Sequence, residues 1–176
     1  MATLSPPLFD ATVPVFRRGL KTLKHILEKA EAYAKENGIS TDDLVNWRLA
    51  EDMNPLSFQI QTASNTSKNT CARVAKLELA ALDDNEKTLE ELYKRIETTL
   101  AILDDVEANH KAAFEGKEGA EVILPLGKDR VVNFTGTTYV YAFAIPNFYF
   151  HVTTTYAILR NRGVPLGKRD YLSLGP

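Results

Sequence analysis

The 176-residue sequence predicts a mainly α protein, an antiparallel four-helix bundle with a small β-hairpin inserted before its last long helix. Three observations predict it. Apolar residues recur at steps of three and four over several long stretches, the spacing that puts them on one face of a helix. Between Glu121 and Phe134 that period breaks, and two short apolar runs flank a glycine turn. The composition, 44% hydrophobic and 25% charged, is that of a globular protein, and the length suits a single hydrophobic core, so residues 1–176 read as one domain.

The first helix follows Pro6 and Pro7, with Val13, Phe16, Leu20, Leu23, Leu27, Ala30 and Ala34 on one face and a stop at Asn37-Gly38. Pro14 lies near its start, where a missing amide costs little if the helix begins close by and kinks it otherwise. Ser40 or Thr41 is placed to cap a short turn leading to Trp47. Asn54-Pro55 reads as an N-cap and first helical residue, opening a second helix that runs to about Leu79. Its inward stripe is Leu56, Ile60, Ala63, Ser67, Thr70, Val74 and Leu77, small and polar in the middle, which calls for either a close helix approach or space for water or a ligand.

After the acidic turn Asp83-Asp84-Asn85, where the carboxylates read as solvated capping groups, a third helix carries Leu89, Leu92, Ile96, Thr99, Leu103 and Val106 to an end near Ala113. The hairpin pairs Val122-Ile123-Leu124 with Val131, Val132 and Phe134 through Gly127-Lys128-Asp129, and must pack on the bundle to be stable. The fourth helix spans about Thr138 to Arg162, bends at Pro146 and stops at Gly163 and Pro165. Residues 164–176 read as an extended strap anchored by Tyr171 and Leu172.

Several function classes are excluded at this level. Basic residues alternate with acidic ones, as at Lys21, Lys24, Glu28, Lys29 and Glu31, and the net charge is -2, so no nucleic-acid stripe exists. Cys71 is the only cysteine, which rules out an intrachain disulfide or a cysteine-based zinc cage, and mid-helix it reads as a buried small hydrophobe. No secretory signal or membrane-length apolar run is present, so a cytoplasmic protein is expected. Nucleotide-binding glycine loops and His-Glu-x-x-His are absent.

His151 is the leading catalytic candidate, because Asn147, Thr154 and Thr155 lie three or four residues away on the same helical face. A neutral imidazole accepts a proton and its conjugate acid returns it, while amides and hydroxyls orient a substrate oxygen. Gln59, Thr62, Ser67 and Thr70 form a second polar wall, and Asp52 offers a carboxylate before the second helix. The aromatic run Tyr139, Tyr141, Phe143, Phe148, Tyr149 and Phe150 is either core or a pocket wall. Equally, His151 reads as a buried structural histidine bonded to a neighbouring helix.

Two stretches carry a resemblance: Leu49-Ala50-Glu51-Asp52-Met53-Asn54-Pro55-Leu56 with Gln59, and Asn147-Phe148-Tyr149-Phe150-His151 through Gly163-Val164-Pro165-Leu166-Gly167-Lys168-Arg169-Asp170-Tyr171-Leu172. Together they resemble an uncharacterised domain family within the DinB and YfiT-like superfamily, over nearly the whole chain. The resemblance implies a four-helix bundle, often dimeric. Better-known superfamily members hold a divalent metal with three histidines and include thiol-dependent transferases and isomerases. Here the histidine expected four residues after His151 is Thr155, and the start of the second helix has none. His25 and His110 lie on other helices, and His151 with Asp52 and Gln59 makes a poor zinc site.

The expected function is therefore metal-independent acid/base chemistry on a small organic molecule, an isomerisation, elimination or cyclisation. His151 would move the proton, with Asn147, Thr155, Gln59, Asp52, Ser67 and Thr70 contacting substrate and no cofactor or metal required. The alternatives are a non-catalytic ligand-binding or dimerisation module, and a degenerate metal-dependent transferase.

Overall fold

The computed structural model describes residues 6–127 and 129–173. Helix α1, Leu8–Glu36, buries every member of its predicted stripe. Pro14 lies within the helix and not in its first turn, so one rung of the backbone ladder lacks its amide. Gly19 has a separate purpose: a Cβ there would overlap the Phe148 ring, so the absence of a side chain lets the helix carrying His151 press against α1.

The connector Thr41–Asn46 winds into a 3-10 turn that buries Leu44 and Val45, without a capping bond from Ser40. Helix α2, Leu56–Ala75, starts one residue later than predicted. The Leu56 amide donates to Trp47 O at 2.9 Å, which leaves Pro55 extended at the N-cap and no side chain capping the helix. It also ends early. Lys76 takes the left-handed conformation (φ 56°) and sends its amine to Glu121 O at 3.1 Å, so residues 76–88 run as an irregular connector.

The small polar layer of α2 is a close helix approach. Ser67 Oγ donates to Ala63 O and Ser64 O, and Thr70 Oγ1 donates to Thr66 O, so both hydroxyls are satisfied inside their own helix. With no long side chain to intervene, α2 packs more extensively on the last long helix than on any other element.

Helix α3, Leu89–Asn109, is capped by Thr88 and Glu91 in a reciprocal capping box, not by Asp83 or Asp84. Those acidic residues belong instead to a buried ion cluster. Arg95 donates to Asp83 O and Glu86 Oε1 at 2.7 Å and to Asp84 Oδ1 at 2.7 Å, with Asn65 Oδ1 at 3.0 Å and Gln61 O at 3.3 Å. Lys68 adds a bond to Ala80 O at 2.8 Å, so two buried cations fasten the connector to α2 and α3. A second 3-10 turn, Lys111–Phe114, follows α3, with Phe114 edge-on to Phe9 at 5.6 Å.

Strands β1, Glu121–Leu126, and β2, Arg130–Thr135, pair antiparallel with Glu121 opposite Thr135 and Leu124 opposite Val132. Val122 and Leu124 face the core. Lys128, in the turn, lies outside the described residues. The last long helical region begins as α4, Gly136–Tyr139, passes through a π-helical turn at Val140–Ala144 and continues as α5, Ile145–Asn161. Pro146, predicted to bend the helix, is met by this local change of winding: it stands in the first turn of α5, where a missing amide is tolerated. Gly163, at φ 91°, ends the region as expected.

The predicted extended strap contains a short helix, α6, Lys168–Leu172, lying on α1. The Asp170 carboxylate holds it there, accepting from the Gly167 amide at 2.7 Å, Lys29 at 2.9 Å and His25 at 3.1 Å. Tyr171 packs on Tyr156 and pairs its hydroxyl with Thr153 at 2.9 Å, as an anchor should. Residues 174–176 of the strap lie outside the described residues. Among the described residues, no helix is long and apolar enough to cross a membrane.

Candidate functional site

His151 sits on α5 where that helix crosses the first turn of α2, and only 7% of it is exposed. Its Nδ1 is 2.7 Å from Gln59 Oε1, and Gln59 Nε2 donates to Asn54 O at 3.0 Å. These two bonds determine the tautomer. A carbonyl can only accept, so the Gln59 amide must turn its nitrogen to Asn54 and its oxygen to the imidazole. Nδ1 therefore carries the hydrogen and donates, and Nε2 of the neutral ring keeps a free lone pair.

No described group bonds Nε2, and it is not among the fully buried unpartnered atoms, so it opens to solvent. Burial pushes the imidazole pKa down to about 4, which keeps the ring neutral at physiological pH. Phe58 and Phe150 stand edge-on to the ring, at centroid distances of 6.0 and 5.2 Å, and both remain partly exposed. Phe150 also forms one wall of an open apolar groove of about 560 Å³ between the 49–53 segment and α5.

The other candidates separate into groups. Gln59 meets His151 directly. Asn147 is half-buried and donates through Nδ2 to Thr66 Oγ1 at 2.8 Å, a second tie between α5 and α2 that removes its amide from substrate duty. Thr155 donates to His151 O at 2.9 Å, so its hydroxyl is turned along its own helix. Ser67 and Thr70 do the same within α2 and are fully buried. Asp52 is exposed in the connector, and none of the side-chain bonds described above includes it.

The aromatic run divides three ways. Tyr139 and Phe143 stack near Phe134 of the hairpin, Phe148 packs on Phe16 at 4.9 Å in the core, and Tyr149 and Phe150 line the groove. Sequence reading missed Phe58, Asn54 and Thr66 as neighbours of the site. Thr66 had a usable signal, since it lies seven residues, two helical turns, after Gln59 and so shares its face. Phe58 had none, because its importance depends on how α5 crosses α2.

The residues present do not fit a three-histidine metal centre. His25 is paired with Asp170, His110 lies 3.6 Å from Asp105, and His151 stands without a second imidazole. Among the described residues, no three His, Cys, Asp or Glu side chains converge where they could hold a metal ion. Cys71 is buried, which pushes its thiol up to about 12 and leaves it inert as a nucleophile or ligand.

Comparison with known proteins places this geometry. The model of a domain of unknown function, DUF1993, matches residues 8–172. The chain is similar to a crystal structure described as a DinB family member protein from Shewanella denitrificans, at 39% identity over 96% of this chain and 93% of that one, with a TM-score of 0.85. Comparison with curated proteins gives no match. A mainly helical chain with one two-stranded sheet, matched over almost its whole length in sequence and in shape, belongs to the DUF1993 family within the DinB-like superfamily.

Proposed function

We propose that the four long helical segments α1, α2, α3 and α5 form an antiparallel bundle, and that its α2–α5 seam holds a metal-independent site for a small organic molecule, with His151 Nε2 as the proton or hydrogen-bond acceptor. The observation that carries this reading is the asymmetry of the imidazole. Nδ1 is bound by an amide that is itself bound, while Nε2 has no described partner, sits beside an apolar groove and belongs to a neutral ring. A histidine kept only for packing gains most from bonding both nitrogens.

In a reaction, Nε2 would take a proton from substrate carbon, oxygen or nitrogen and return it at a second position, which completes an isomerisation, elimination or cyclisation. The Gln59 carbonyl supports the positive ring that forms, because it accepts from Nδ1–H in both protonation states. A conjugate acid near pKa 4 is a weak base at neutral pH, and this favours a second reading, ligand binding without turnover. The exposed Leu49, Phe58 and Phe150 also suit a homodimer contact, which light scattering would test against the chain mass of 19.6 kDa.

The test is a nitrogen-edited NMR titration of His151 together with native mass spectrometry of the purified protein. The expected result is an Nδ1–H tautomer that protonates near pH 4, and a retained small molecule that is lost in His151→Phe. An Nε2–H tautomer titrating near the ordinary value of about 6.5 would overturn the reading.

A further inference from the structure

The polar part of the site is a single acceptor, and what surrounds it defines the rest of the ligand. The groove wall is built from Leu49 and Met53 on one side and Pro146, Phe150 and Ala157 on the other, with no charged side chain among its lining residues. Two hydroxyls on that wall are already engaged: Thr154 Oγ1 donates to Phe150 O at 2.7 Å, and Thr153 pairs with Tyr171 at 2.9 Å. At about 560 Å³ the groove falls in the size range of small-molecule sites, roughly 300 to 1,000 Å³.

Charge is disfavoured on two counts. A carboxylate or phosphate placed against Nε2 would meet a lone pair and find no cation in the groove wall. An ammonium could donate to Nε2, yet the lining offers no carboxylate to balance it. Aromatic rings, in contrast, are well received, because Phe58 from α2 and Phe150 from α5 flank the imidazole and are 38% and 59% exposed. Edge and face contacts with such rings favour flat π-systems over aliphatic chains of equal size.

Building on the reading of His151 as an acceptor, we infer that the site takes uncharged, flat aromatic molecules bearing one N–H or O–H donor, the donor on His151 Nε2 and the ring along Phe150 and the groove. The class includes indoles, phenols and related heteroaromatics.

Three probes of nearly equal size test it against the full-length chain: indole, N-methylindole and indoleacetate. Backbone amide NMR titrations give the affinities and show which residues respond. Indole should perturb Phe150, His151 and Thr154. N-methylindole should bind about five-fold more weakly, the value of one hydrogen bond, and indoleacetate more weakly again. In His151→Phe the preference for indole over N-methylindole should disappear. Phe150→Ser, at an exposed position that leaves the fold intact, should weaken all three probes.

The failures are distinct. Equal binding of indole and N-methylindole to the unaltered protein, with the groove responding, would overturn the acceptor reading on which the inference rests. A retained donor preference with indoleacetate binding tightest would leave that reading in place and overturn the uncharged class. No response from Phe150 and Thr154 to any probe would overturn the inference itself.

Discussion

Helix α2 holds a buried polar side chain against a neighbour at two places, and the two are built differently. Toward α3 it meets Arg95, whose side chain is 2% exposed and whose two terminal nitrogens face five acceptors. Toward α5 it meets His151, which has one firm partner and one nitrogen left open. A guanidinium at pKa above 12 cannot shed its charge, so burying it demands a shell of oxygens, and the shell uses the group up. An imidazole can shed its charge, needs fewer partners and keeps a reactive atom available. The difference separates a clasp from a site: both are buried and polar, but only one retains unused chemistry.

The comparison predicts its own largest effect at the clasp. Arg95→Leu strands Glu86, itself 10% exposed, and releases the 76–88 connector, so it should cost about 3 to 5 kcal/mol of stability in chemical denaturation. A loss under about 1 kcal/mol would mean that Arg95 is no clasp and that the contrast with His151 is false.

Next in size is the pH dependence that His151 confers. Its folded pKa of about 4 lies below the unfolded value of about 6.5, so between these limits the unfolded chain binds the extra proton. Stability from this group is complete above about pH 6.5 and falls as pH drops toward about 4, by about 3 kcal/mol. His151→Phe should flatten that window. Asp170 acts elsewhere: burial would raise its carboxyl, but the Gly167 amide, Lys29 and His25 outweigh burial and hold it well below the usual range. Its contribution is therefore present above the ordinary carboxylate pKa and is lost only at more acid pH. Denaturation curves from pH 7 to about pH 4, with and without His151, measure the separation.

Gln59→Leu sharpens the contrast from the partner's side. Removing the amide leaves Nδ1–H buried without an acceptor, and the expected cost is about 1 to 3 kcal/mol. The tautomer should also lose its preference, visible in the imidazole nitrogen shifts. A variant with unchanged shifts would show that Gln59 does not set the ring.

The smallest effect is expected at Thr155→Val. The hydroxyl bonds only to His151 O within the same helix, so its loss should cost at most about 1 kcal/mol and leave probe affinity unchanged. A marked change in affinity would return Thr155 to the binding residues.

Much of this architecture was legible from local physics. The stripes of α1 and α3, the hairpin around Gly127 and the stop at Gly163 follow from periodicity and turn chemistry, which act over a few residues. Helix ends were less legible, because distant partners set them: Trp47 O takes the Leu56 amide, and Lys76 reaches across to Glu121. The tail was misread as extended because nothing within it announces that Asp170 will meet Lys29 and His25 of α1.

For the site, the sequence by itself determined that His151 and Gln59 are polar residues on facing apolar helices, and that no second histidine stands at position 155. Only the tertiary structure decided that these two meet, which nitrogen carries the hydrogen, and that Asn147, Ser67, Thr70 and Thr155 have their donors occupied. The reason is physical. Helical periodicity records which face a residue lies on, whereas a hydrogen bond depends on the rotation and spacing of two helices. Those are set by Gly19 beneath Phe148 and by the small residues along α2, where van der Waals contact decides how close the backbones come.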